Sequence, residues 1–298
     1  MNSEKKDIFE RVTDQIVRAI EEGAGSYRMP WRTSGGFPSS PINAVSKRPY
    51  RGVNVIVLWA TAQKKGYKSG AWGTYKQWQE LGAQVRKGEK FANVVFWKFF
   101  DRAEESEDAG EANESRARRI PMARDYWVFN AEQVDGYVPA EEHRHTRAER
   151  LGSAEAFFRS LGVNIQPGEN GAFYRLETDT VHMPAFEVFK EALFYYSVLS
   201  HETTHWTAAP HRLNRDLSGR FGSEAYAIEE LVAELGSAFL CSTLGLPSDP
   251  RKDHAPYISS WLKALRNDKR AIFTAAAKTQ EAVDWMMNKV SLRIEEAA

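Results

Sequence analysis

Residues 200–212 read SHETTHWTAAPHR. His201 and His205 stand four apart, with Glu202 directly after the first. The spacing acquires meaning on an α-helix, where positions i and i+4 share a face and two imidazoles can reach one ion. The preceding run FEVFKEALFYYSVLS (186–200) is helical in pattern, so the motif sits in the context it requires. Neutral imidazole suits Zn²⁺, and a catalytic zinc site keeps one position open for water. Glu202 then falls beside the ion as the catalytic base. One Zn²⁺ is expected, with another divalent metal as the alternative.

A third ligand is sought downstream. Residues 226–240 read YAIEELVAELGSAFL, a helix whose apolar stripe is Ile228, Leu231, Val232 and Leu235. Ala233, Gly236 and Ser237 are small and permit close approach to a neighbouring helix. Glu229 and Glu230 both fall near that small side. Glu230 is favoured, because Glu234 one turn later can accept the other N–H of a ligating histidine. Glu229 remains a rival, since spacing does not settle a rotation of about 100° per residue. Tyr226 and His211 are candidates for stabilising an oxyanion. The segment AFYRLETDTVHMP (172–184) alternates like one strand and is expected along the cleft edge, where an extended peptide can pair.

Further outward, Ile8, Val12, Ile16 and Ile20 predict a helix over 7–22, ended by Gly23 and Gly25. Helices are also predicted over 53–64, 74–81, 151–161, 186–207, 223–244 and 254–290, the last either continuous or broken. ANVVFWKFF (92–100) and YWVFNAEQV (126–134) read as strands of a hairpin. The polar excursion 101–119 between them is expected to be a mobile loop, and 136–150 a linker. The fold class expected is α+β with two domains. Residues 1–140 form a small mixed basic domain with helices and a β-hairpin; residues 150–298 form a mostly helical domain with a short edge sheet.

The 298 residues are 42% hydrophobic, enough for a sizeable core. No apolar run approaches the ~18 residues of a spanning helix, and MNSEKKDIFE lacks the apolar stretch of a signal peptide, so a cytoplasmic protein with no membrane partner is expected. Cys241 is the single cysteine, which excludes an internal disulfide; it reads as a small buried hydrophobe.

Net charge is zero but unevenly placed. Residues 25–98 hold thirteen Lys/Arg against Glu80 and Glu89, an excess of +11, which leaves −11 elsewhere. The same stretch holds twelve aromatic residues. Cations follow a phosphate backbone and exposed rings stack on unpaired bases, so single-stranded DNA is the expected partner. Phosphate candidates are Lys47, Arg48, Arg51, Lys64, Lys65, Lys68, Arg86, Lys87 and Lys90. Stacking candidates, chosen beside basic or turn residues, are Tyr50, Tyr67, Trp72 and Tyr75. Trp59 and the run Val94 to Trp97 are assigned to the core.

The stretch YRGVNVIVLWATAQKKGYKSGAWGTYKQWQELGAQVRKGEKFANVVFWK (50–98) resembles the N-terminal domain of the ArdC family of plasmid antirestriction proteins. The second half, from LSHETTHWT through YAIEELVAELGSAFL, resembles the zincin-like metallopeptidase domain that follows it. The resemblance covers nearly the whole chain but not 101–119. It implies binding of single-stranded DNA during conjugation and escape from restriction. It also implies a metal motif on His201, Glu202, His205 and the Glu229–Glu230 pair. A related domain fused to plasmid primases fits DNA handling at transfer. Three functions follow. In one, the chain holds single-stranded DNA and hydrolyses a peptide bond in a restriction enzyme or other protein met there. In another, it coats DNA and the metal is structural. In the third, it is a zinc protease whose basic half recognises acidic protein.

Overall fold

The chain is described by a computed structural model covering residues 7–24, 29–31, 40–102, 118–139, 146–220, 223–246 and 255–297. The first helix, α1 (Ile8–Ala24), buries Val12, Ile16 and Ile20, the spacing read from the sequence. Helix α2 (Val53–Lys65) buries every residue from Val53 to Ala60. It can do so because β4 (Ala92–Arg102), α1 and the last helix all pack against it. Gly66, at φ +74°, closes α2 in the left-handed conformation that glycine adopts without a Cβ clash. Helix α3 (Tyr75–Glu80) starts on a reciprocal cap between Thr74 and Gln77.

The first sheet has the order β1-β2-β5-β4, with β1 Ile42–Asn43, β2 Ala71–Gly73 and β5 Arg118–Asn130. Strands β4 and β5 form the expected antiparallel hairpin, in register from Ala92↔Val128 to Arg102↔Arg118. Residues 101–102 and 118–119, read as loop, are therefore strand; the remaining part of that loop expectation, 103–117, lies outside the described residues. Two short strands, β3 (Gln84–Val85) and β6 (Val134–Asp135), pair beside it over a small cluster around Trp78.

Helix α4 (Arg147–Leu161) begins within the stretch read as a linker, because the Thr146 side chain and Glu149 cap it reciprocally. The segment read as one strand, 172–184, is two. Strand β8 (Phe173–Arg175) turns through Asp179, at φ +49°, into antiparallel β9 (Thr180–Met183). Strand β7 (Asn164–Pro167) lies parallel on the other side of β9, giving the order β7-β9-β8. Helices α5 (Ala192–Trp206), α6 (Glu224–Leu244), α7 (Ala255–Asn267) and α8 (Ala271–Ala297) complete the fold. The helix expected over 186–207 starts late: residues 186–188 form a 3-10 turn and Glu191 is extended. No described helix is long and apolar enough to cross a membrane.

Two helices of the second half clasp the first, α7 packing on α1 and α8 on α2. One apolar core runs without a break from Val12 to Val290. Helices α5 and α6 pack closely because Gly236 has no side chain. A Cβ there would stand 2.6 Å from Thr204 Cγ2, closer than any stable contact. Ser237 adds a hydrogen bond across the same seam, its hydroxyl donating to the Ser197 carbonyl at 2.8 Å.

Candidate metal centre

The residues between the two histidines explain why HETTH is helical and inward-facing. Thr203 and Thr204 are fully buried, yet satisfied. Their hydroxyls donate to the carbonyls of Leu199 and Ser200 one turn back, each at 2.8 Å. Thr204 packs against Gly236 in the α5–α6 seam, and His201, Glu202 and His205 line a cavity of about 540 Å³.

Helix α6 supplies the carboxylates. Glu230 faces both rings: its Oε2 is 3.6 Å from His201 Nε2 and its Oε1 is 3.6 Å from His205 Nε2. Ligand atoms of His201, His205 and Glu230 all lie within 4.8 Å of one another. A tetrahedron with bonds of about 2.1 Å has edges of about 3.4 Å, so two imidazoles and a carboxylate at these separations fit one divalent ion with little adjustment. Burial favours the neutral acid at Glu230, but the bond from His201 and the charges of His205 and His201 outweigh it, holding its pKa near 2. At His205 burial opposes the cation, yet the bond to Glu229 and the charges of Glu230, Glu229 and Glu202 raise its pKa.

Glu229, the rival third ligand, points elsewhere. Its Oε1 is 3.2 Å from His205 Nδ1. Both of its oxygens accept from buried Arg215, Nε to Oε2 at 3.1 Å and Nη2 to Oε1 at 2.9 Å. Arg215 also donates to Thr207 Oγ1 at 2.8 Å and to the Thr204 carbonyl at 2.6 Å. Glu229 is thus engaged on the far side of the His205 ring, where it orients that ring rather than facing the ion position. Glu234 is fully buried; one oxygen accepts from Trp31 Nε1 at 3.0 Å and the other lies 4.0 Å from His201 Nδ1.

Tyr226 lines the cavity, its hydroxyl 3.2 Å from that of Tyr257 on α7. Burial, then the Tyr257 and Glu230 neighbours, push the Tyr226 phenol far above its ordinary value, so it stays protonated as a donor. His211 does not join it. The chain turns after α5 and leaves His211 exposed, beside Asp179 at 3.5 Å. Its neighbour Arg212 packs inward over the Trp206 ring at 4.0 Å and bonds Tyr174 and Asp179. Strand β8 lines the cavity, and the sheet order leaves its outer edge unpaired among the described strands. Arg215, Trp31 and Tyr257 escaped the sequence reading. Each is remote in sequence or isolated in a loop, and no periodic signal marks it.

The stacking candidates fare unevenly. Trp72 is 1% exposed and Tyr50 8% exposed, so neither offers a face to a base. Trp72 is a central strand residue packed against Tyr67, and Tyr50 packs beside Phe96. Tyr67 is half-buried; Tyr75 is exposed and accepts from Gln84. Conversely, Phe96 and Trp97, assigned to the core, are exposed. Phe96 packs edge-on against Tyr126 and Trp97 tilts against Phe9 of α1, but the rest of each ring faces solvent. The phosphate candidates are all exposed, but Arg51 pairs with Asp284, Lys64 with Glu22, and Arg86 with Glu89 and Asp135.

A two-part chain with such a histidine–glutamate cluster defines a class, and comparison identifies it. Residues 6–129 match the family described as the N-terminal domain of anti-restriction factor ArdC, and residues 152–278 match that of zincin-like metallopeptidases. The antirestriction ArdC protein from plasmid R388 has been crystallised in metal-free and Mn(II)-bound forms. It superposes with TM-scores of 0.78 and 0.77 at 38% and 39% identity, over 96% of this chain and 99% of that one. The uncharacterized protein y4eC of Sinorhizobium fredii is 55% identical over 283 residues, 94% of this chain and 91% of y4eC. DNA primase TraC of Escherichia coli is 37% identical over 305 residues, but the chain spans 28% of the primase's length. The chain belongs to the ArdC antirestriction family.

Proposed function

We propose that this chain protects incoming plasmid DNA in the cytoplasm by two linked activities. Its N-terminal half holds single-stranded DNA, and its C-terminal half hydrolyses a peptide bond in a protein met on that DNA. The observation that carries the hydrolytic reading is the convergence of His201, His205 and Glu230 in a cavity that Glu202 also lines. Those three residues would hold one divalent cation, and the mixed nitrogen–oxygen donor set suits zinc. A bound cation supplies a Lewis acid and lowers the pKa of water beside it.

The chain's own residues do the rest. Glu202 takes a proton from the attacking water and returns it to the leaving amine. The edge of β8 that no described strand pairs offers backbone groups to an extended peptide, which would fix the scissile bond along the cavity. Tyr226 and Tyr257 present hydroxyls to the developing oxyanion. The existence of a Mn(II)-bound form of the R388 protein supports a divalent ion as the cofactor here.

The test is Glu202→Gln, which keeps the ligands and removes the base. Metal content should remain at wild-type level while protection of DNA transferred into a restricting recipient is lost. Unchanged protection with metal retained would mean that hydrolysis is not the route and that occupancy of the DNA is.

A further inference from the structure

We propose that Phe91 and Trp127 form the base-stacking platform of the single-stranded DNA site. This rests on the DNA reading above and gives that reading a location other than the buried Tyr50 and Trp72. The two rings lie 4.6 Å apart and 12° from parallel. Trp127 is 60% exposed and Phe91 43% exposed, so neither belongs to the core. The hairpin register places Trp127 opposite Asn93, and Phe91 two residues before Asn93 falls on the same side of the pleat. Phe91 therefore backs one face of the indole and holds it in orientation, while the exposed indole remains open to a planar ligand. A ring fixed before binding loses little side-chain entropy when a base stacks on it.

The surroundings select the ligand. Phe91 forms part of a groove of about 450 Å³ between α1, α2 and β4, whose walls carry Arg18 and Lys65. Both cations are exposed and make no ion pair among the described residues. Arg11 and Lys64 also line the groove but are engaged by Asp125 and Glu22, and Asp14 tempers the charge. Exposed Lys90 immediately precedes Phe91. The site thus joins a flat apolar surface to exposed cations that form no ion pair among the described residues, which matches the bases and phosphates of a single strand. Duplex DNA hides its base faces in the stack and gives the platform nothing to grip. Three cations, Arg18, Lys65 and Lys90, predict a log–log salt slope of about −2 for a single strand.

The experiment titrates the full chain with fluorescein-labelled oligothymidylate at several salt concentrations, beside a duplex of equal length. Trp127→Ala should weaken binding about tenfold without changing the salt slope. Trp127→Phe should stay within about threefold, because a ring remains. Phe91→Ala should fall between them. Arg18→Glu with Lys65→Glu should flatten the slope. Indole fluorescence quenched by the oligonucleotide in the wild type should lose part of its quenching in Trp127→Phe. Both positions are exposed, so thermal melting should be little changed and losses can be assigned to binding. Trp127→Ala binding within twofold of wild type overturns the platform while the DNA reading stands. Tighter binding to duplex also overturns the platform. A wild-type chain that binds no oligonucleotide overturns the DNA reading and the platform with it.

Discussion

Trp31 Nε1 donates to Glu234 Oε1 at 3.0 Å across a sequence separation of 203 residues. Both side chains are fully buried. Glu234 lies one turn beyond Glu230 on α6 and its second oxygen faces the His201 ring. A residue of the N-terminal part thereby reaches the outer layer of the candidate metal centre. Trp31→Phe removes the donor and part of the ring, at an expected cost of about 2 kcal/mol in stability. It should also weaken metal binding. Urea unfolding and metal titration of Trp31→Phe, Glu234→Gln and the double variant check this. Effects on metal affinity that simply add would rule out action through Glu234.

The α5–α6 seam makes a second prediction. Gly236→Ala forces the helices apart at Thr204 and should cost about 1–3 kcal/mol. Because Glu230 and the histidines lie on opposite sides of that seam, metal affinity should fall with it. Adding Thr204→Ala makes room for the new methyl group and should recover part of both losses, read by thermal melting and metal content.

The carboxylates on α6 separate by metal analysis. His201→Ala and Glu230→Ala should each abolish stoichiometric metal. Glu229→Ala should retain metal but weaken its binding about 10- to 100-fold, since it acts through the orientation of His205. Arg215→Met should fall in the same range. Glu229→Ala as severe as Glu230→Ala would contradict the assignment drawn from the geometry.

The raised pKa of His205 sets a pH dependence with a definite sign. In the metal-free chain its protonated form is favoured by folding. That stability is fully present below the unfolded value of about 6.5 and is lost as pH rises through the folded value. The ion takes the neutral ring, so metal affinity should rise over the same interval. Melting temperature should therefore fall from about pH 6.5 upward without metal, and hold or rise with saturating metal. Parallel curves with and without metal would remove His205 from the site.

Much of this molecule was written in local patterns. The spacing of Val12, Ile16 and Ile20 marks α1, the small face of α6 marks a close helix contact, and β-branched and aromatic runs mark the hairpin. HETTH placed a histidine pair on one helical turn, and the +11 bias of residues 25–98 pointed to a polyanion. These features are legible because helix and strand periodicity, and charge, are properties of neighbouring residues. Tertiary structure decided the rest. The rotation of α6, set by Gly236 against Thr204, turns Glu230 toward the histidines and Glu229 toward Arg215. Packing against Phe96 and Tyr67 helps bury Tyr50 and Trp72, while Trp127 is left in solvent. Burial and facing depend on contacts between residues more than 200 positions apart, and no periodicity within one element encodes them.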